Sequence, residues 1–153
     1  MKRIHISLAV AAIAALLGTA AAGAQALDAT AASAPAVKLA STGIGKILVS
    51  KSNHTLYMFT RDTKNKDSCV SVSMCTGAWP PYTTSGKPSA GPGLKSSLLG
   101  TIKLSSGKKQ VTYAGHPLYT YAFDSGPKQT GYVGASQFGG KWYAVSSAGK
   151  TVK

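Results

Sequence analysis

Gly45-Lys46-Ile47-Leu48-Val49-Ser50-Lys51-Ser52-Asn53-His54-Thr55-Leu56-Tyr57-Met58-Phe59-Thr60-Arg61-Asp62 returns 62 positions later as Gly107-Lys108-Lys109-Gln110-Val111-Thr112-Tyr113-Ala114-Gly115-His116-Pro117-Leu118-Tyr119-Thr120-Tyr121-Ala122-Phe123-Asp124. Gly45/Gly107, Lys46/Lys108, Val49/Val111, His54/His116, Leu56/Leu118, Tyr57/Tyr119 and Asp62/Asp124 are identical, seven of the 18 pairs, more than chance pairing gives. Each copy reads as a hairpin: a strand, a tight turn, then a strand entered at His-x-Leu-Tyr. A lone hairpin is marginal in water, so two copies are expected to pair across a pseudo-twofold axis into one sandwich or barrel.

Working outward, further runs favour strands: 100–104, 132–133 and 142–145, with turn residues at Ser52-Asn53, Ser106-Gly107, Ala114-Gly115 and Gly139-Gly140. No stretch beyond residue 43 keeps helical periodicity for three turns. The expectation is all-β: a single small domain over residues 44–150, with repeat one at about 45–82 and repeat two at about 107–146.

What precedes the repeats has a different character. Met1-Lys2-Arg3 is basic, Leu8 to Leu17 is an unbroken apolar run, and small residues follow through Ala24-Gln25-Ala26. That order predicts a signal peptide over 1–26, and hence a periplasmic or secreted protein that is soluble after cleavage, with no transmembrane anchor. Residues 27–43 are rich in Ala, Ser and Thr and predict a flexible leader. The exported part, after loss of Lys2 and Arg3, carries 15 basic residues against Asp28, Asp62, Asp67 and Asp124, a net charge of 15 − 4 = +11, and no glutamate. Such a surface attracts polyanions through a salt-screened field. The lysines are scattered and form no base-reading motif, so no specific nucleic-acid partner is expected. Cys69 and Cys75, the two cysteines, predict one disulfide closing a short loop; a soft-metal site using the thiols, Met74 and a histidine is the rival.

Both copies carry Tyr-x-aromatic-x-x-Asp, as Tyr57 to Asp62 and Tyr119 to Asp124. The first is followed by Cys75-Thr76-Gly77-Ala78-Trp79-Pro80-Pro81, the second is entered through Gly115-His116-Pro117-Leu118-Tyr119, and the chain closes on Gly140-Lys141-Trp142-Tyr143. Over roughly residues 44–150 this resembles the secreted-repeat family of predicted bacterial lipoproteins that share the Y-x-[FWY]-x-x-D motif. The family's role is unassigned, so the resemblance implies a fold and a location. The chain departs from it in lacking a lipid-attachment cysteine behind the signal peptide.

On a strand, Tyr57 and Phe59 share one face and Leu56 and Met58 the other, and Tyr119 and Tyr121 repeat the pattern. These aromatics, with Trp79 and Trp142 placed 22 and 23 residues beyond Tyr57 and Tyr119, suit either core packing between the repeats or a platform for sugar rings or planar ligands. Asp62 and Asp124 end strands, where an aspartate bonds backbone N–H groups and fixes a turn, or holds an ion or ligand. His54 and His116, at matching turn exits, are the candidate metal ligands, with Met58 or Met74 in support.

Catalysis needs a poised base with an orienting partner, or paired carboxylates. Without glutamate, and without nucleophile-elbow, zinc-protease or phosphate-loop patterns, the sequence predicts a protein that is not an enzyme and needs no cofactor. The leading expectation is a β module that binds an anionic polymer or glycan of the cell envelope. The alternatives are a metal-binding protein using the paired histidines and a structural envelope protein with a protein partner.

Overall fold

The computed structural model describes residues 36–153. The expected signal peptide and most of the expected leader lie outside the described residues. The end of the expected leader is corrected: Ala36–Thr42 is a seven-residue strand, β1. Val37 is fully buried and joins Leu39 in the aliphatic core, so the polar composition of the neighbouring segment hid a strand with two inward apolar side chains.

β1 pairs antiparallel with β2 (Gly45–Val49), with Thr42 opposite Gly45 and a two-residue turn between them. The same hairpin recurs as β6 (Leu99–Lys103) with β7 (Lys109–Tyr113). There Leu104 N–H bonds Lys108 O at 2.8 Å around a three-residue turn, which uses Gly107 at φ +81°. That extra residue changes the repeat offset. Lys38 pairs Val49 whereas Thr101 pairs Val111, so the first strands are 63 positions apart (101 − 38) and the second strands 62. A search at the single offset of 62 therefore aligns β2 with β7 and misses β1 with β6.

β3 (Tyr57–Phe59) pairs with β10 (Gly140–Val145), which also carries β9 (Ser136–Gln137) and β11 (Thr151–Val152). β4 (Thr83–Thr84) and β8 (His116–Pro117) add to β7, and β5 (Ser89–Ala90) runs parallel to β1. A short helix, α1 (Cys75–Ala78), and two single 3₁₀ turns complete the elements. The result is an all-β, two-repeat sandwich that does not close into a barrel. Two expectations changed locally. Residues 132–133 lie in a turn, and the strand expected at 118–121 is reduced to Tyr119.

The repeats join where Tyr57 meets Tyr119. Tyr57 N–H bonds Tyr119 O at 2.9 Å and Tyr119 N–H bonds Tyr57 O at 3.0 Å, a reciprocal pair that marks the pseudo-twofold. Strand alternation then sorts the side chains. Leu56, Met58 and Leu118 enter an aliphatic core with Val37, Leu48, Val111, Tyr113 and Val145, whereas Tyr57, Phe59, Tyr119 and Tyr121 enter an aromatic one.

Candidate functional site

The two Tyr-x-aromatic-x-x-Asp motifs interlock. Tyr119 O–H donates to Asp62 Oδ2 at 2.8 Å, and Tyr57 O–H donates to Asp124 Oδ2 at 3.2 Å and to Gln129 O at 3.2 Å. Each tyrosine thus reaches the aspartate of the other copy. The expected turn-fixing role is present as well: Asp62 Oδ1 accepts Ser68 N–H at 2.7 Å. Burial raises the Asp62 carboxyl to about 6 against the N–H and O–H bonds that favour its charge, and Asp67 nearby adds to the rise. Burial also raises Asp124, with the Tyr57 bond opposing it. Burial, then the facing carboxylates, push both tyrosine hydroxyls far above their usual range, so they stay protonated donors.

Inside this frame lies a column of rings. Trp79 and Trp142 stack in parallel at 4.0 Å and 2°; Phe59 caps Trp142 at 4.2 Å and Tyr121 caps Trp79 at 4.3 Å. Tyr57 meets Trp79 edge-on and Tyr119 meets Trp142 edge-on, both at 5.1 Å. All six rings are buried, Tyr121 being the least covered at 9% exposed. The platform reading of Tyr57, Phe59, Tyr119, Tyr121, Trp79 and Trp142 is therefore corrected: a ligand that stacks on rings needs them at the surface, and these form the core between the repeats. Trp79 Nε1–H donates to Gln137 Oε1 at 2.8 Å, whereas the buried Trp142 Nε1 has no partner. The Cys69–Cys75 disulfide forms as expected, buried against the same cluster.

The histidines have different settings. The charge of His54 favours the ionised form of Asp124, and His116, on β8, has its pKa lowered by burial and then by Lys150. Among the described residues, no three His, Cys, Asp or Glu side chains gather as a metal site.

The surface feature that the motifs did not announce lies on the repeat-two sheet. A groove of about 470 Å³ is lined by Lys87, Ser96, Ser97, Thr101 and Lys109 with Gly86, Pro88, Leu99 and Gly100. Beside it a hollow of about 330 Å³ takes in Thr83, Thr84, Ser85, Lys108 and the shared Lys109. Lys87, Lys108 and Lys109 are exposed, and no aspartate lines either depression. The sequence signal was the Lys108-Lys109 pair that follows the hairpin turn and opens β7, remote from any acid along the chain.

Comparison with known proteins agrees with the interlocked repeats. A family model described as a secreted repeat of unknown function matches residues 38–83 and 100–146. Each match starts on the first strand of a hairpin, β1 or β6. No curated protein and no solved structure matches. Among the described residues, no helix is long and apolar enough to cross a membrane.

Proposed function

Because the chain belongs to the family of secreted repeats of unknown function, we propose that it is a non-catalytic β module working outside the cytoplasm, which binds an anionic polymer of the cell envelope. The observation that supports this most directly is the acid-free groove bearing Lys87 and Lys109, continued by Lys108, with serine and threonine hydroxyls between the cations. Ammonium groups attract phosphate or carboxylate, hydroxyls donate to their oxygens, and an open groove accommodates a chain. The motif aspartates are occupied in holding the repeats together, which supports a structural rather than a catalytic use of the carboxylates.

Long-chain inorganic polyphosphate, with neutral dextran as control, tests the reading. Binding to polyphosphate is expected at low salt and is expected to weaken as salt rises. The K87Q/K108Q/K109Q variant should bind about tenfold more weakly, on the order of 0.5 kcal/mol for each exposed charge pair lost. Equal affinity of the variant and the wild type, or no binding at low salt, overturns the proposal.

A further inference from the structure

The aromatic column has an open end. Tyr121, which caps Trp79 at 4.3 Å, is itself met by Tyr132 at 3.9 Å between ring centroids and 47° between planes. Tyr132 is partly exposed, and the Tyr121 hydroxyl lies beside the Tyr132 hydroxyl and the Gln137 side chain. Trp142, Trp79, Tyr121 and Tyr132 thus form a continuous series of oxidisable rings, with steps of 4.0, 4.3 and 3.9 Å, running from the buried centre to the surface. Rings in contact exchange an electron readily, so a hole created on either tryptophan can move outward. At the tyrosines it meets a group that also loses a proton, which traps it.

We propose that Tyr121 and Tyr132 form an oxidative cross-linking site, closing to an intramolecular dityrosine when this exported protein meets a one-electron oxidant of the haem-peroxidase class. Each phenol gives up one electron to the oxidant and its O–H proton to solvent. The two phenoxyl radicals join through one ring carbon ortho to each oxygen, and the hydrogens on those carbons move to the oxygens and restore both phenols. With hydrogen peroxide as terminal oxidant, two tyrosines and one peroxide yield one dityrosine and two waters. The ring contact keeps the two phenoxyl radicals together in one molecule, and the bond forms once the rings turn to bring one ortho carbon of each edge to edge. The cross-link closes the segment between the two tyrosines into a covalent loop, and the column that feeds it drains oxidising equivalents from Trp79 and Trp142.

The test treats the purified exported protein with a haem peroxidase and limiting hydrogen peroxide. The expected product is a monomer that has lost two hydrogens, shows dityrosine fluorescence, and yields on digestion a joined pair of peptides carrying Tyr121 and Tyr132. Y132F is expected to abolish this product and to shift oxidation onto Trp79 or Trp142, and Y143F, on β10, is expected to retain it. Sulfoxide at Met74, which is 82% exposed, reports direct peroxide attack separately. Cross-links only between molecules, an unchanged yield in Y132F, or tryptophan oxidation preceding dityrosine in the wild type overturns the proposal.

Discussion

The hydroxyl of Tyr119 is bonded at 2.8 Å to the carboxylate of Asp62, 57 residues earlier in the chain and in the other repeat. Its counterpart, Tyr57 to Asp124, is longer at 3.2 Å. A hydrogen bond to a charged, partly buried acceptor contributes about 1.5–3 kcal/mol. Y119F is expected to lower the unfolding free energy by about 2 kcal/mol, and Y57F by about 1 kcal/mol because its bond is longer. Urea denaturation measures both, and the Y119F/D62N double-mutant cycle should show coupling between the two positions. Additivity there would mean that the bond does not tie the repeats.

Asp62 also makes stability depend on pH in an uncommon direction for a carboxylate. Its folded pKa of about 6 lies above its ordinary value of 3.8, so between these values the folded state holds more protons than the unfolded one. Unfolding free energy from this group therefore falls as pH rises from about 4 to about 6, and is flat on either side. Asp124 is shifted the same way, whereas His116, lowered by burial, adds stability as pH rises towards its ordinary 6.5. Denaturation of the wild type and D62N at a series of pH values separates the contributions. D62N should make the downward slope in that window shallower, leaving the part from Asp124 and the rise from His116, and parallel curves would remove Asp62 as a source.

Gly140 lies at the start of β10 beside the ring column. A Cβ there would sit 2.6 Å from Phe59 Cε2 and 3.1 Å from Thr60 Oγ1, and Phe59 is held against Trp142 at 4.2 Å. Phe59 cannot retreat without breaking the stack, so G140A is expected to cost about 1–3 kcal/mol by overpacking. The near-ultraviolet circular dichroism of the stacked tryptophans should change with it. Wild-type stability would mean that the column can slide.

The doubling of the chain, the disulfide and the opposite facing of Tyr57/Phe59 and Leu56/Met58 were legible because they follow from repetition, compartment and strand alternation, whereas the hairpin expected within 45–62 is kept in the first copy only as a Val49–Thr55 bridge, Tyr57–Phe59 pairing instead with β10. β1 was not legible, since the extra residue in the Ser105-Ser106-Gly107 turn breaks the single offset and Val37 and Leu39 sit among alanines and serines. Nor was the exchange of partners between motifs. A Tyr and an Asp five residues apart look like neighbours, and only the antiparallel meeting of Tyr57 with Tyr119 sends each hydroxyl to the opposite copy. The lysine groove is likewise tertiary: Lys87 and Lys109 come from segments that the sheet brings together.

The Cys69–Cys75 disulfide supports the column from within the first repeat. Both cysteines are fully buried beside Trp79, and α1 runs from Cys75 directly into that ring. The closed loop is short, so removing the bond is expected to cost about 2 kcal/mol in the chain-entropy model. C69A/C75A avoids placing thiols or hydroxyls in the apolar site and reads that cost in urea denaturation. Trp79 keeps its Gln137 hydrogen bond and its contacts with Trp142, Tyr57 and Tyr121, so the circular dichroism of the tryptophan stack should survive the loss of the disulfide. If that signal disappears while the protein remains folded, α1 rather than ring packing positions Trp79.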